Sequence, residues 1–192
     1  MAVQAACVRD ARGSDERALT TPRLTLEPQR AGHAAEMFAV LSDPEIYRFE
    51  NAPPASPAWL HERFTKLETR HSADGSEAWL NWVLRLRSGA PIGYVQATVD
   101  AQGQALIAYV LASAHWGQGL ALEAVQAMRD ELAAAWQVRR LLAVFKRGNL
   151  RSRRLLERLG FEAGSAAQRL RLEVGDNEDL MQRALATTVA SP

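Results

Sequence analysis

Cysteine is almost missing from this 192-residue chain: Cys7 is the single one. An internal disulfide and a thiolate metal cluster are therefore excluded. Cys7 also lies in a polar N-terminal stretch, badly placed to act as a nucleophile. Histidine is scarce, and His33, His61 and His71 show no ligand spacing, so no metal is expected. Charge of one sign is not in excess: 23 basic against 22 acidic residues leave a formal net charge of +1, which implies no bulk polyanion partner. Long apolar runs are missing as well. The longest, Ala105 to Ala112, is far short of the ~20 residues that span a bilayer, and the first twenty residues contain no signal-peptide core. A cytoplasmic protein without a membrane partner is expected. What remains is ordinary for one globular domain, 47% hydrophobic and 23% charged. The expected organisation is a poorly ordered tail over 1–20, a single domain over 21–186 and a short tail over 187–192.

Periodicity places the elements. Leu24 and Leu26 alternate with polar neighbours and predict a strand over Arg23 to Glu27. Ala34, Met37, Phe38 and Leu41 share one face of a helix over Ala31 to Leu41, which Ser42-Asp43-Pro44 stops. Ser56 caps a second helix with Pro57 at its first position and Leu60, Phe64 and Leu67 inward. Strands over Ala78 to Leu86, Ile92 to Val99 and Ala105 to Ala112, joined by short turns, predict an antiparallel meander. A helix over Leu120 to Trp136 follows, with Ala121, Val125, Met128 and Leu132 as its buried stripe. Then come a buried strand over Leu141 to Phe145 and a helix from the cap Asn149 to the stop Gly160. Return strands are expected from Phe161 and over Leu180 to Leu185. The order is that of an α+β, three-layer α/β/α domain.

The stretch His115-Trp116-Gly117-Gln118-Gly119-Leu120-Ala121-Leu122-Glu123-Ala124 joins the third meander strand to the long helix. Glycines at such a junction let backbone N–H groups converge on an anion at a helix N-terminus, which points to a phosphorylated ligand. A second feature is basic: Arg139, Arg140, Lys146, Arg147, Arg151, Arg153, Arg154 and Arg158 crowd together. They form either a solvated face or a surface for an anionic cofactor, a ribosome or a nucleic acid.

Four segments in this order resemble the GNAT superfamily of acetyl-CoA-dependent N-acetyltransferases, and within it the RimJ/RimL type that acetylates protein N-termini. They are Thr21-Pro22-Arg23-Leu24-Thr25-Leu26, Ile92-Gly93-Tyr94, Trp116 to Ala121 with Glu123-Ala124, and Asn149-Leu150-Arg151-Ser152 running to Leu159-Gly160-Phe161. The resemblance covers about residues 21 to 186. The family's loop reads Gln/Arg-x-x-Gly-x-Gly/Ala. Here Trp116 takes the Gln/Arg position, Gly119 the glycine and Ala121 the Gly/Ala, so one charged contact to phosphate is given up.

The resemblance implies a mostly antiparallel sheet with a splayed strand pair. It implies acetyl-CoA as acetyl donor, with its pyrophosphate on the loop from Trp116 and Gly117 through the amides of Gln118, Gly119, Leu120 and Ala121. Its pantetheine arm would pair with the backbone of Tyr109, Val110, Leu111 and Ala112. An N–H near Val110 or Leu111, Leu111 being preferred, would stabilise the oxyanion. Asn149 matches the family asparagine on the arm or caps its helix. Ser152 matches the Asn-x-x-Ser spacing, as a proton donor to the departing thiolate or as an exposed first-turn serine.

Without a usable cysteine, direct attack by an amine in a ternary complex is expected. No spacing selects the general base among Glu45, Glu50, Glu77, Glu173, Tyr47, Tyr94, Tyr109 or a water chain. Trp59, Trp79 and Trp82 either line an acceptor cleft or pack in the core. The acceptor is a protein N-terminal α-amine, with a ribosomal protein as one partner, or a small amine such as an antibiotic, polyamine or amino acid. A non-catalytic CoA-binding or ribosome-associated module is the reading from another class. A homodimer is compatible with the sequence.

Overall fold

A computed structural model describes residues 17–49 and 52–186. Its centre is one sheet of eight strands: β1 (Leu19–Thr20), β2 (Leu24–Pro28), β3 (Glu77–Leu86), β4 (Pro91–Asp100), β5 (Gln104–Leu111), β6 (Arg140–Lys146), β7 (Glu162–Ala163) and β8 (Glu178–Ala184). The spatial order is β1-β2-β3-β4-β5-β6-β8-β7. Every neighbouring pair is antiparallel except β5 and β6, which run parallel. That parallel pairing covers only Gln104↔Arg140 to Leu106↔Leu142. Past it β5 continues to Leu111 and β6 to Lys146 without pairing each other, so the sheet opens there into a V.

Helices cover both faces, as the alternation of the strands requires. Leu80, Trp82 and Leu84 of β3, with Val95, Ala97 and Val99 of β4, point to one face. There they meet α3 (Leu120–Ala135) through Ala124, Val125, Met128 and Leu132, and α4 (Leu150–Arg158) through Leu156. Val83, Tyr94 and Val110 point to the other face. They meet α1 (Ala34–Leu41) and α2 (Pro57–Leu67) through Met37, Leu41, Leu60 and Phe64. A short α5 (Ala166–Arg171) rests on β8, its Gln168 amide donating to the Gln182 carboxamide oxygen at 2.7 Å.

Most predicted elements recur within two residues, and the differences have physical causes. The chain already joins the sheet at Leu19, opposite Leu26. Arg17 reaches across to the buried Glu131 of α3 at 2.6 Å, and its carbonyl accepts the Trp82 indole N–H. Residues 17–20 of the expected tail thus make contacts with the fold, and 1–16 and 187–192 lie outside the described residues. The helix predicted from Ala31 starts as a 3-10 turn, Ala31–His33, because the His33 imidazole accepts the Arg30 N–H. The buried stripe of α3 uses Ala124 in place of Ala121, which is half-buried. The return strand after Phe161 is only two residues long, since α5 intervenes behind the capping box Ser165 and Gln168.

Candidate acetyl-donor cleft

The V between β5 and β6 is the mouth of a cleft of about 310 Å³. Four segments wall it: the end of β5 with the loop behind it, the first turn of α3, the exposed side of α4, and the 3-10 turn Pro44–Arg48 with Phe49.

The loop is held open by two left-handed glycines, Gly117 at φ 75° and Gly119 at φ 76°. That conformation costs a residue with a β-carbon about 1–2 kcal/mol. Gly119 is the N-cap of α3, and no side chain caps that helix. The acidic residue of the first turn, Glu123, is turned away. It accepts from the Thr21 hydroxyl at 2.6 Å, the Arg23 N–H at 2.8 Å and the Arg23 guanidinium at 2.6 Å. Burial pushes the Glu123 carboxyl up, and these hydrogen bonds overcome it, so the group stays below its usual range. Arg23 also donates to the Gln118 carbonyl at 2.8 Å. Leu120, Ala121 and Leu122 line the cleft, and among the described residues no side chain accepts from the first-turn amides of α3, which carry their share of the helix dipole.

The strand end is equally constrained. A β-carbon on Gly93 would lie 2.0 Å from the Val110 carbonyl oxygen, so that carbonyl points at β4. The Leu111 N–H belongs to the same trans peptide and points the opposite way, into the opening. The Ala112 N–H points back to β4, bonding the Ile92 carbonyl at 2.9 Å. Residues 109 and 111 therefore present main-chain groups to the V, while 110 and 112 spend theirs on the sheet.

On α4, Asn149 caps the helix by accepting the Ser152 N–H at 3.1 Å. Ser152 lines the cleft, and the Tyr109 hydroxyl approaches its carbonyl at 3.4 Å. The arginine cluster divides by face. Arg147 and Arg153 share Asp179, and Lys146 pairs with Glu178. Arg151, Arg154 and Arg158, spaced to share one helix face, line the cleft, and no carboxylate partner is described for them. Glu45, a half-exposed carboxylate beside Arg48 at 3.7 Å, lines the same cleft.

Basic side chains of α4, the first turn of α3 and the end of β5 thus line one cleft. The model of the acetyltransferase (GNAT) domain family matches residues 23–162, well over half of the chain.

The chain belongs to the GNAT acetyltransferase family.

It is 28% identical, over 75% of its own length and 82% of the relative's, to an uncharacterized N-acetyltransferase p20 of Bacillus licheniformis. Its fold matches that of RimL, a ribosomal alpha-N-protein acetyltransferase solved with coenzyme A, at TM-score 0.74 and 15% identity, covering 88% of this chain and 98% of that one. The aminoglycoside acetyltransferase AAC(6')-Ib with coenzyme A gives 0.68 and 22%, covering 84% and 94%. As a GNAT member the chain is an acyltransferase, and acetyl-CoA is its acetyl donor. The lining suits such a donor: three guanidiniums with no carboxylate partner among the described residues, the first turn of α3, and the main chain at the end of β5.

Of the residues singled out from sequence, the cleft gathers Tyr109, Val110, Leu111, Trp116, Gly117, Gly119, Leu120, Ala121, Asn149 and Ser152. Gln118 and Ala112 are not on its wall. The Gln118 side chain folds back onto the Ala114 carbonyl at 3.0 Å. Among the carboxylates considered as base, Glu45 is in the cleft. Glu77 instead accepts from the Trp79 indole, Glu173 follows α5 away from the cleft, and Glu50 lies outside the described residues. Tyr47 donates to the Leu41 carbonyl, and Tyr94 packs under α1. Trp82 is fully buried, Trp59 is exposed, and Trp79 lines a separate cleft beside α2. His115, Leu122 and Leu155 also line the donor cleft, from the loop, the first turn of α3 and α4, without having been read as site residues. Ile46 and Phe49 line it too and carried no sequence signal, being apolar residues in an irregular segment. The cleft-facing arginines did carry one, the 151/154/158 spacing within the cluster. Among the described residues no helix is long and apolar enough to cross a membrane.

Proposed function

We propose that the protein transfers acetyl from acetyl-CoA to the α-amine of a protein N-terminus, by direct attack in a ternary complex. The observation that carries this reading is that one cleft brings together the guanidiniums of Arg151, Arg154 and Arg158 from α4 and the carboxylate of Glu45 from the 3-10 turn. The arginine wall and the first turn of α3 hold the donor's phosphates. The main chain of Tyr109 and Leu111 aligns its arm. The donor supplies an activated acyl group, and the chain's residues handle the charges and protons. The Leu111 N–H donates to the carbonyl oxygen as negative charge gathers there. Glu45 attracts the acceptor's ammonium; the neutral amine attacks the carbon, and Glu45 takes the proton that the nitrogen then sheds. The Ser152 hydroxyl passes a proton to the departing sulfur as the carbon–sulfur bond breaks and takes one back from water.

An exposed carboxylate is a weak base, and this favours an α-amine. At pKa ~7.7–8.0 an α-amine is already ~10–20% neutral at pH 7, whereas a lysine amine at ~10.4 is neutral only to ~0.04%. The fold likeness to RimL points the same way, and a ribosomal protein is the acceptor it suggests. The second reading, a small amine, rests on the similar likeness to the aminoglycoside enzyme. A thiol-release assay with acetyl-CoA separates them. Peptides with free N-termini are expected to be acetylated with kcat/KM at least tenfold above aminoglycosides, polyamines and free amino acids. Turnover confined to small amines replaces the first reading with the second. Binding of coenzyme A with no turnover on any amine leaves a non-catalytic module.

A further inference from the structure

The cleft contains a contact that the loop motif alone does not explain. The Arg151 guanidinium carbon lies 3.7 Å from the centre of the Trp116 ring, a stacking distance. The other cation–ring contacts described lie at 5.8–6.0 Å. Trp116 is itself anchored, its indole N–H donating to the Leu111 carbonyl at 2.8 Å. The two residues come from different segments, the loop and α4, and both line the cleft with Gly117 and Gly119. A guanidinium stacked on a ring has its face covered and its in-plane N–H groups free to meet an anion.

We propose that Arg151, laid flat on Trp116, returns to the phosphate loop the cation that the loop gives up by carrying tryptophan at its Gln/Arg position. Trp116 is the positioning residue and Arg151 the binding residue, and their ligand is the diphosphate of coenzyme A. This rests on the reading that the diphosphate sits at the first turn of α3. The division of roles explains why Arg151 has no carboxylate partner described while Arg147 and Arg153, from the same segment, share Asp179. A carboxylate would hold Arg151 off the ring and neutralise it.

The test is a substitution cycle read by calorimetry with coenzyme A and with dephospho-coenzyme A, alongside acetyl-CoA KM and kcat. Arg151→Ala is expected to weaken both ligands by the same factor, about tenfold or more, and to raise KM with kcat within about twofold. Trp116→Arg in the Arg151→Ala background is expected to recover most of that loss, because the cation returns to the loop. The same change beside an intact Arg151 gains little. Arg151→Lys keeps the charge without the planar stack and should fall between wild type and alanine. Equal binding by wild type and Arg151→Ala overturns the proposal, and so does a loss that disappears with dephospho-coenzyme A, which would place the contact on the 3′-phosphate. Failure of Trp116→Arg to recover binding in a protein that melts like Arg151→Ala also overturns it. Wild-type protein that binds neither ligand overturns the reading of the cleft instead, so the two failures are distinguishable.

Discussion

At Gly93 a β-carbon has nowhere to go: it would sit 2.0 Å from the Val110 oxygen and 2.9 Å from the Leu111 α-carbon. The absent side chain lets β4 close on β5, and that closeness aims the Leu111 N–H into the V. Gly89, in the turn between β3 and β4, also has a positive φ, 89°, but open space around it. Alanine at the two positions should therefore behave differently. Gly89→Ala costs the left-handed penalty of about 1–2 kcal/mol and leaves turnover unchanged. Gly93→Ala displaces the strand end, lowering the melting temperature further and cutting kcat about tenfold or more. Thermal melts and saturating-substrate rates check this. Gly93→Ala with wild-type kcat would remove Leu111 from oxyanion stabilisation.

Between elements, the entry segment and the central helix are locked by one carboxylate. Thr21 and Arg23, between β1 and β2, converge on Glu123 of α3, and Arg23 reaches the loop carbonyl of Gln118. The folded Glu123 carboxyl is held below its ordinary value, which for the unfolded chain is about 4.3. A depressed folded value contributes stability that is fully present above the unfolded one and is lost as pH falls through the folded one. Glu123→Gln is thus expected to lower stability at pH 7 by roughly 1–2 kcal/mol, and to melt with a flatter pH dependence than wild type below about pH 4.5. Parallel acid limbs in a melting series from pH 7 to 3 would contradict this role. The Thr-Pro-Arg start was legible in the sequence as part of a pattern, but its contact with Glu123, a hundred residues away, was not. The same division runs through the molecule. Local signals such as the Ser56 and Asn149 caps, the Gly160 stop and the alternation of β3 to β5 reappear in the structure. The faces that α4 presents, Arg151 to the cleft and Arg153 to Asp179, depend on tertiary placement, as does the burial of Trp82 against the exposure of Trp59. α5 went unread although its Ser165-x-x-Gln168 capping box is local, because too few apolar positions follow to show a period.

Across the whole molecule, a formal charge of +1 conceals a cleft lined by three arginines of one helix. Its cationic wall is assembled from a helix, α4, held to the core by Leu156 with Leu155 half-buried beside it, and from the first turn of another helix, α3. Salt screens such a wall over about 10 Å at 0.1 M, so donor affinity should track ionic strength while the fold does not. Calorimetric titration of the full chain with coenzyme A at about 50 mM and about 500 mM salt tests this most directly. The account predicts one-to-one saturable binding that weakens at least severalfold at the higher salt. No binding heat at low salt, or an affinity indifferent to salt, would contradict it.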